Sequence, residues 1–379
     1  MQYRKFGNQD FEVSALGFGA MRFPTTNGDS ANIDEAEAVK MLRYAIDRGV
    51  NYVDTAYPYH EGQSEVVVGQ ALKNGYREKV KLVTKMPCWL VESPADFDKY
   101  LNEQLERLQT DHIDFYLLHA LFTNRWEQMQ NLNVLEWSEK AVADGRIGAL
   151  GFSFHDSLPL FKEIVDAYEG WGLCQIQYNF MNEDVQAGTE GLEYAAQKGL
   201  PVVIMEPLLG GIIANPPAQV QEIWDNAQQK PVDVALRWLW NKPGVSVVLS
   251  GMSNMEQVEQ NLVSAEVAGI GTLTANELDV VKRVQEIYKS FSQIACTKCG
   301  YCMPCPNGLD IPRNFELYNE GVIYDSLNLS QALYTWHMRP SERADACIAC
   351  GDCEVECPQK INISEWMPKV HDKLLMPEQ

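Results

Sequence analysis

Eight of the ten cysteines fall in two short runs near the C-terminus, C-T-K-C-G-Y-C-M-P-C-P from Cys296 and C-I-A-C-G-D-C-E-V-E-C-P from Cys347. Three thiolates at successive two-residue gaps, closed by Cys-Pro and then repeated, form the ligand pattern of a protein with two iron–sulfur clusters. The first three thiolates of a run can face one cubane, while the fourth, before Pro, ligates the other. This crossed pattern assigns Cys296, Cys299, Cys302 and Cys357 to one [4Fe–4S] cluster, and Cys347, Cys350, Cys353 and Cys305 to a second. The first run departs slightly, with two residues rather than three before its Cys-Pro. Paired C-x-x-C also serves zinc, but the doubled three-thiolate pattern with Cys-Pro favours clusters. Cys88 and Cys174 stand apart in apolar surroundings and read as buried thiols.

A second set of chemically able residues lies upstream, at the ends of apolar runs. V-N-Y-V-D ends on Asp54, V-K-L-V-T-K on Lys85, I-D-F-Y-L-L-H on His119 and I-G-A-L-G-F-S on Ser153. C-Q-I-Q-Y carries Gln177, L-P-V-V-I-M-E ends on Glu206, and S-V-V-L-S-G ends on Gly251. A charge beside an apolar strand is costly unless it is paired or catalytic. Counting A-L-G-F-G at 15–19, there are eight such runs, separated by amphipathic stretches such as I-D-E-A-E-A-V-K-M-L-R-Y-A-I-D-R-G. Repeats of strand and helix that return to a parallel neighbour give a (β/α)8 TIM barrel, whose strand C-termini ring one mouth. The scattered polar ends then converge. Y-R-K-F-G-N-Q-D-F-E-V-S, ahead of the first run, reads as a hairpin over the bottom of the barrel, with N-Q-D as its turn. The expected division is a barrel over 1–290 and a small, mostly α-helical cluster domain with a C-terminal tail over 291–379.

G-V-N-Y-V-D-T-A-Y-P-Y-H around Asp54, V-T-K-M-P around Lys85 and D-F-Y-L-L-H at His119 resemble the aldo-keto reductase superfamily. The resemblance covers roughly 1–290 and extends to G-F-S, Q-Y-N, E-P-L-L-G-G and G-M-S-N-M-E-Q-V-E-Q-N. It implies that Asp54, Tyr59, Lys85 and His119 form a catalytic tetrad. The chemistry needs these types. Hydride addition to a carbonyl leaves an alkoxide that must take a proton, and a phenol is a poor acid near neutrality unless a cation stabilises its phenolate. Lys85 supplies that cation, Asp54 holds it charged, His119 orients and polarises the carbonyl, and Tyr59 donates the proton. Trp89, Phe122 and Trp126 follow these strand ends and either wall an apolar pocket or pack.

No G-x-G-x-x-G follows a strand, so a Rossmann site is not indicated. The resemblance instead implies an extended nicotinamide cofactor, NADP or NAD. Its carboxamide falls to Ser153 and Gln177, and its pyrophosphate to the loop bearing Leu208, Gly210 and Gly211. His155 stands near the position where the family commonly has Asn after the strand-end Ser, and Met205 replaces its stacking aromatic. Ser253, Gln257 and Asn261 occupy the segment where the family usually carries Lys and Arg for the 2′-phosphate. Between the cysteine runs, N-F-E-L-Y-N and S-Q-A-L-Y-T-W-H-M read as helical, resembling the α-helical ferredoxins of respiratory dehydrogenases.

The formal net charge of −21 would repel nucleic acid and anionic membrane, so neither is an expected partner. No stretch approaches the roughly 20 apolar residues of a membrane helix, and the N-terminus lacks a signal-peptide run. The expected location is cytoplasmic, where thiols stay reduced. The leading reading is an NAD(P)H-dependent reductase of a small carbonyl substrate, with a cluster domain that is structural, redox-sensing or electron-transferring. One alternative uses the clusters as an electron conduit to a redox partner protein. Another makes the barrel a non-catalytic nicotinamide-binding sensor or scaffold.

Overall fold

The computed structural model describes residues 1–26, 28–291, 293–323 and 326–376; the remaining positions of the expected cluster domain, Ser292 among them, lie outside the described residues. The chain forms two compact units, one of Met1–Pro207 with Val232–Thr274 and another of Leu208–Pro231 with Ala275–Gln379.

In the first unit, a hairpin of β1 (Tyr3–Lys5) and β2 (Glu12–Ser14) precedes eight parallel strands that close into a barrel. These are β3 (Leu16–Gly19), β4 (Tyr52–Asp54), β5 (Lys81–Met86), β6 (Ile113–Leu121), β7 (Ile147–Phe154), β8 (Cys174–Gln177), β9 (Val202–Met205) and β10 (Val245–Gly251). Each strand pairs with the next, and β10 returns to β3. The helices between them are α1 (Glu35–Asp47), α2 (Gln63–Ala71), α3 (Pro94–Leu108), α4 (Thr123–Asn131), α5 (Val134–Ala143), α6 (Leu158–Ala167) and α7 (Gly188–Gln197). α8 (Ala218–Asn226) belongs to the second unit, and α9 (Pro231–Trp240) and α10 (Met255–Glu266) complete the barrel.

Local chemistry sets the helix starts. Asp34 accepts the Glu37 N–H ahead of α1, Asn254 accepts that of Gln257 in α10, and Ser93 with Asp96 makes a capping box on α3, which opens on Pro94. The hairpin buries Phe6 and Val13 with Tyr52, Val83, Phe115, Leu117, Leu173, Val203, Val247 and Leu249, sealing the barrel with aromatic and β-branched surface. At about 25 cal/mol per Å², a fully buried side chain of this size contributes roughly 1.5–3 kcal/mol.

The second unit is helical: α11 (Ala275–Ser290), α12 (Ile311–Ile323), α13 (Leu327–Ala332), α14 (Asp352–Val355) and α15 (Ile363–Leu374). Its core gathers Leu309, Phe315, Leu317, Tyr334, Met367 and Leu374, and Cys296, Cys302, Cys305, Cys347 and Cys353 pack against it. The region between the cysteine runs is helical, as its periodicity predicts. Among the described residues no helix is long and apolar enough to cross a membrane.

Candidate active site

Parallel register brings the C-terminal ends of β4, β5 and β6 side by side, Asp54 opposite Val83 and Lys85 opposite Leu117. Asp54, Lys85 and His119 are all buried there. Lys85 Nζ donates to Asp54 Oδ1 at 2.6 Å, to the Thr55 carbonyl at 2.8 Å and to the Tyr59 hydroxyl at 3.4 Å. The Tyr59 and His119 rings meet edge to face at 6.0 Å. The tetrad is therefore one constellation, centred on the ammonium.

Tyr59 lies in a tight turn where His60 and Glu61 adopt left-handed backbone, with φ of 53° and 54°. Such conformations persist only where the surroundings fix them. Buried His60 does so here: its Nε2 accepts the Phe23 N–H at 3.2 Å, and its Nδ1–H donates to the Ser30 carbonyl at 2.8 Å. A histidine that looks like a loop residue in sequence thus anchors the turn that presents Tyr59.

Burial dominates the site's electrostatics. It pushes the Lys85 pKa below the ordinary lysine value, opposed chiefly by the charge of Asp54. It raises the Asp54 carboxyl in turn, opposed by Lys85. His119 is held well below the usual imidazole range by burial and then by the positive charges of Lys85 and Arg125, so its ring is neutral. A neutral imidazole can donate a hydrogen bond to a carbonyl oxygen without acting as a strong acid there.

Trp89 stands 5.3 Å from the His119 ring, and Phe122 lies 6.2 Å from His155. Arg125, on α4, places its guanidinium over both Trp89 and Phe122 and donates to the Ala120 carbonyl at 3.1 Å. Trp126, by contrast, is fully buried and packs towards Trp171 at 6.2 Å. Of the three aromatics singled out in the sequence, Trp89 and Phe122 line the histidines and Trp126 belongs to the helix packing.

Of the positions matched to the cofactor, Ser153, His155, Gln177 and Asn261 are buried, Met205 is partly exposed at the end of β9, and Ser253 and Gln257 are exposed beyond β10. Ser153 accepts the Ala120 N–H at 2.7 Å, Gln177 accepts from Gln186 at 3.4 Å, and the Met205 sulfur accepts from Gln175 at 3.7 Å. The buried Gln175 Oε1 has no hydrogen-bond partner among the described residues. Ser253 N–H donates to Gln257 Oε1 at 2.7 Å, its hydroxyl donates to the Arg22 carbonyl at 2.9 Å, and Asn261 donates to Ser250 at 2.9 Å. The stem of Arg22 lies over Gly251, where an added Cβ would meet its Cγ at 2.8 Å. That cation, carried from the end of β3, was not apparent from the β10 segment alone.

In the second unit, Leu208, Gly210 and Gly211 belong to a tight turn with Gly210 and Gly211 at φ of 64° and 100°. A Cβ at Gly210 would come within 2.9 Å of the Thr297 carbonyl oxygen, so glycine is required by both conformation and space. Thr297 sits between Cys296 and Lys298 of the first cysteine run and is itself buried. The Tyr288 hydroxyl on α11 donates to the Ile212 carbonyl at 3.1 Å, tying the same turn down a second time.

Cys296, Cys299, Cys302 and Cys357 together line one small pocket, walled otherwise by Ile311, Phe315, Ile361 and Ile363. Burial lifts Cys296 to about 11, with the Cys357 thiol adding to it, and raises Cys302, with Cys299 next among the causes. Cys353 is lifted to about 11 by burial, with Cys347 and Cys350 as lesser contributors. Thiols crowded in this way become thiolates when a cation accompanies them. Four such thiols around an apolar cavity fit an iron–sulfur cluster. Among the described residues, no three His, Cys, Asp or Glu converge closely enough to hold a single metal ion. Cys88 and Cys174 are buried, and burial lifts Cys88 to about 12 and Cys174 further.

Residues 15–286 match the model of the Aldo/keto reductase family, and residues 295–361 that of a 4Fe-4S dicluster domain. Methylglyoxal reductase YeaE of Escherichia coli (strain K12) is 31% identical over 273 residues, covering 68% of this chain and 87% of that protein. L-galactose dehydrogenase of Arabidopsis thaliana is 26% identical over 312 residues, covering 74% and 94%. Among solved structures, the holo form of aldo-keto reductase AKR11C1 from Bacillus halodurans superposes with a TM-score of 0.62 at 26% identity, covering 75% of this chain and 96% of that one. An aldo/keto reductase from Klebsiella pneumoniae in complex with NADP and acetate gives 0.59 at 28% identity, covering 74% and 94%.

Proposed function

Because the chain belongs to the aldo/keto reductase family and carries a 4Fe-4S dicluster domain, we propose that it reduces a small aldehyde or ketone at the expense of NADPH or NADH, with Tyr59 as proton donor. The observation that carries this is Lys85 Nζ, shared between Asp54 at 2.6 Å and the Tyr59 hydroxyl at 3.4 Å. Since the ammonium donates to the phenol oxygen, the phenolate left after proton donation is already met by a positive charge. The neutral His119 orients the carbonyl, and Trp89 and Phe122 exclude water from it.

A bound nicotinamide would supply the hydride. The hydroxyl of Ser153 and the carboxamide of Gln177 are suited to its amide, with His155 and Met205 beside them. Leu208, Gly210 and Gly211 are assigned to its pyrophosphate, and Ser253, Gln257 and Asn261 to its adenosine end. The functional domains are 1–290 and 291–379, and the location is cytoplasmic.

Two [4Fe–4S] clusters complete the molecule, ligated in the crossed pattern by Cys296, Cys299, Cys302 and Cys357, and by Cys347, Cys350, Cys353 and Cys305. Hydride moves electrons in pairs, while each cluster takes one at a time, so the clusters are best read as structural. The close approach of Gly210 to Thr297 supports this, since the first cysteine run then braces the glycine turn. Exposure of Cys350 and of Ile348 beside it favours a second reading, electron exit to a partner protein at the second cluster.

Oxidation of NADPH by methylglyoxal and simple aldehydes tests the first reading. Turnover in the parent protein that falls about 10²–10⁴-fold in Tyr59→Phe supports it. Absence of carbonyl-dependent oxidation in the anaerobically purified protein rejects it in favour of a scaffold.

A further inference from the structure

On the helix-facing side of β5, behind the active site, lies a polar network that the tetrad does not include. Its centre is Glu65 on α2, whose side chain is fully buried. Gly69, one turn later on the same face, admits α2 against the end of α3: a Cβ there would meet the Leu108 carbonyl oxygen at 2.6 Å. Glu65 Oε1 accepts from the Thr84 hydroxyl at 2.6 Å and from Gln104 Nε2, and its Oε2 accepts from Arg107 at 3.3 Å. Every one of these contacts is donated to the carboxyl group, the pattern of an ionised carboxylate.

Two arms lead from Glu65 to the reacting groups. Gln104 Nε2 also donates to the backbone carbonyl of Lys85 at 3.1 Å, while Gln104 Oε1 accepts from the buried Tyr116 hydroxyl at 2.6 Å. Arg107 lies over the Tyr57 ring at 4.2 Å, donates to the Tyr57 carbonyl at 3.5 Å and pairs with Glu103, which accepts from the Tyr57 hydroxyl at 3.2 Å. Tyr57 is two residues before Tyr59. One arm therefore ends on the strand residue carrying the ammonium, the other on the turn carrying the phenol.

We infer that Glu65 is a positioning residue for carbonyl reduction, its buried carboxylate fixing Lys85 through Gln104 and the Tyr59 turn through Arg107 while its charge favours the protonated ammonium. This rests on Tyr59 and Lys85 acting as proposed above. Burial raises the Glu65 carboxyl, and donation from Thr84, Gln104 and Arg107 opposes that; Glu65 in turn is among the charges that hold the Lys85 proton. The charged and titratable groups around the pair are Arg107 and Glu103 from α3, Tyr116 and His119 from β6, Asp54 from β4, and Tyr57 and Tyr59 from the turn. Removing the negative charge lowers the pKa of Lys85 and of Tyr59 alike, so the direction does not depend on which of them sets the alkaline limb.

The test is the alkaline limb of kcat/KM for carbonyl reduction, together with the Lys85 Nζ titration followed by ¹⁵N NMR, its resonance assigned by loss in Lys85→Met. Glu65→Gln should lower both midpoints by about one pH unit. Arg107→Met, at a partly exposed site, removes the opposing charge and should raise them by a few tenths of a unit, so the inference stays testable if Glu65→Gln fails to fold. Midpoints that stay put in both variants, or move the same way, reduce Glu65 to a packing role and overturn the inference. An inactive parent protein in which the Lys85 resonance still shifts in opposite directions would reject the reductase reading and leave the Glu65–Lys85 coupling standing.

Discussion

Replacing Asp54 by Asn removes the carboxylate that meets Lys85 Nζ at 2.6 Å, in a pair whose side chains are 3% and 0% exposed. Removing one partner of a buried ion pair leaves the other charge uncompensated, at a cost of about 3–5 kcal/mol. Lys85 can escape part of this by shedding its proton. Burial already lowers its pKa, and Asp54 is the chief opposing charge. A further fall lets the site shed its charge, so the expected loss at pH 7 lies at the lower end of that range, about 3 kcal/mol. The folded protein then binds fewer protons at Lys85 than the unfolded chain between the lowered pKa and the ordinary lysine value. Stability of Asp54→Asn therefore rises with pH across that window. Lys85→Met leaves a buried carboxyl instead, and the double variant leaves neither charge, so the two effects should fall short of additivity by about 2–3 kcal/mol. Urea unfolding of the parent, both single variants and the double variant, at several pH values between 7 and 10, measures all of these. Additivity within about 0.5 kcal/mol, with a flat profile for Asp54→Asn, would refute a buried ion pair at this site.

His119 is neutral because burial and the charges of Lys85 and Arg125 hold its pKa well below 6.5. The unfolded chain binds this proton first as pH falls, so the share of stability from His119 is lost below about pH 6.5, while kcat/KM has no acid limb of His119 near pH 6–7. A limb at about 6.5 that disappears in His119→Asn would contradict it. Anaerobic removal of iron should loosen Thr297 and the Gly210 turn, weakening NADPH binding about tenfold by equilibrium fluorescence; unchanged affinity would separate the clusters from the cofactor loop. Gly210→Ala should weaken the same binding, through about 1–2 kcal/mol of left-handed strain and contact with Thr297. Cys357→Ser and Cys299→Ser should remove the same reduced-cluster EPR signal and spare the other, whereas loss of different signals would break the crossed assignment.

The barrel and the convergence of Asp54, Lys85 and His119 at its mouth were legible because both leave periodic signals. Eight apolar runs, most of them ending on a polar residue, specify a parallel ring, and Asp54, Lys85 and His119 each sit where such a run stops. Strand ends were misjudged only by a residue or two, as at β6, which continues past His119 to Leu121 through an Ala120 with φ of 53°. Glu65, Gln104 and Arg107 left no such mark: on an amphipathic helix a Glu or Gln reads as solvent-facing until a neighbouring helix covers it. His60 was equally silent, since its role depends on two backbone groups, at Phe23 and Ser30, remote in sequence. The grouping of 208–231 with the helical unit could not be read at all, because it rests on α8 packing against α11 and on Gly210 meeting Thr297, partners remote in sequence.

The central claim is that this chain moves a hydride to a carbonyl and does not pass single electrons through its clusters. Turnover of NADPH deuterated at the transferred C4 position, with an aldehyde and followed by mass spectrometry and cluster absorbance, tests it most directly. The account predicts one deuterium on the carbinol carbon of the product and an unchanged cluster band throughout. Product without deuterium, formed while the cluster band bleaches and recovers, would contradict it.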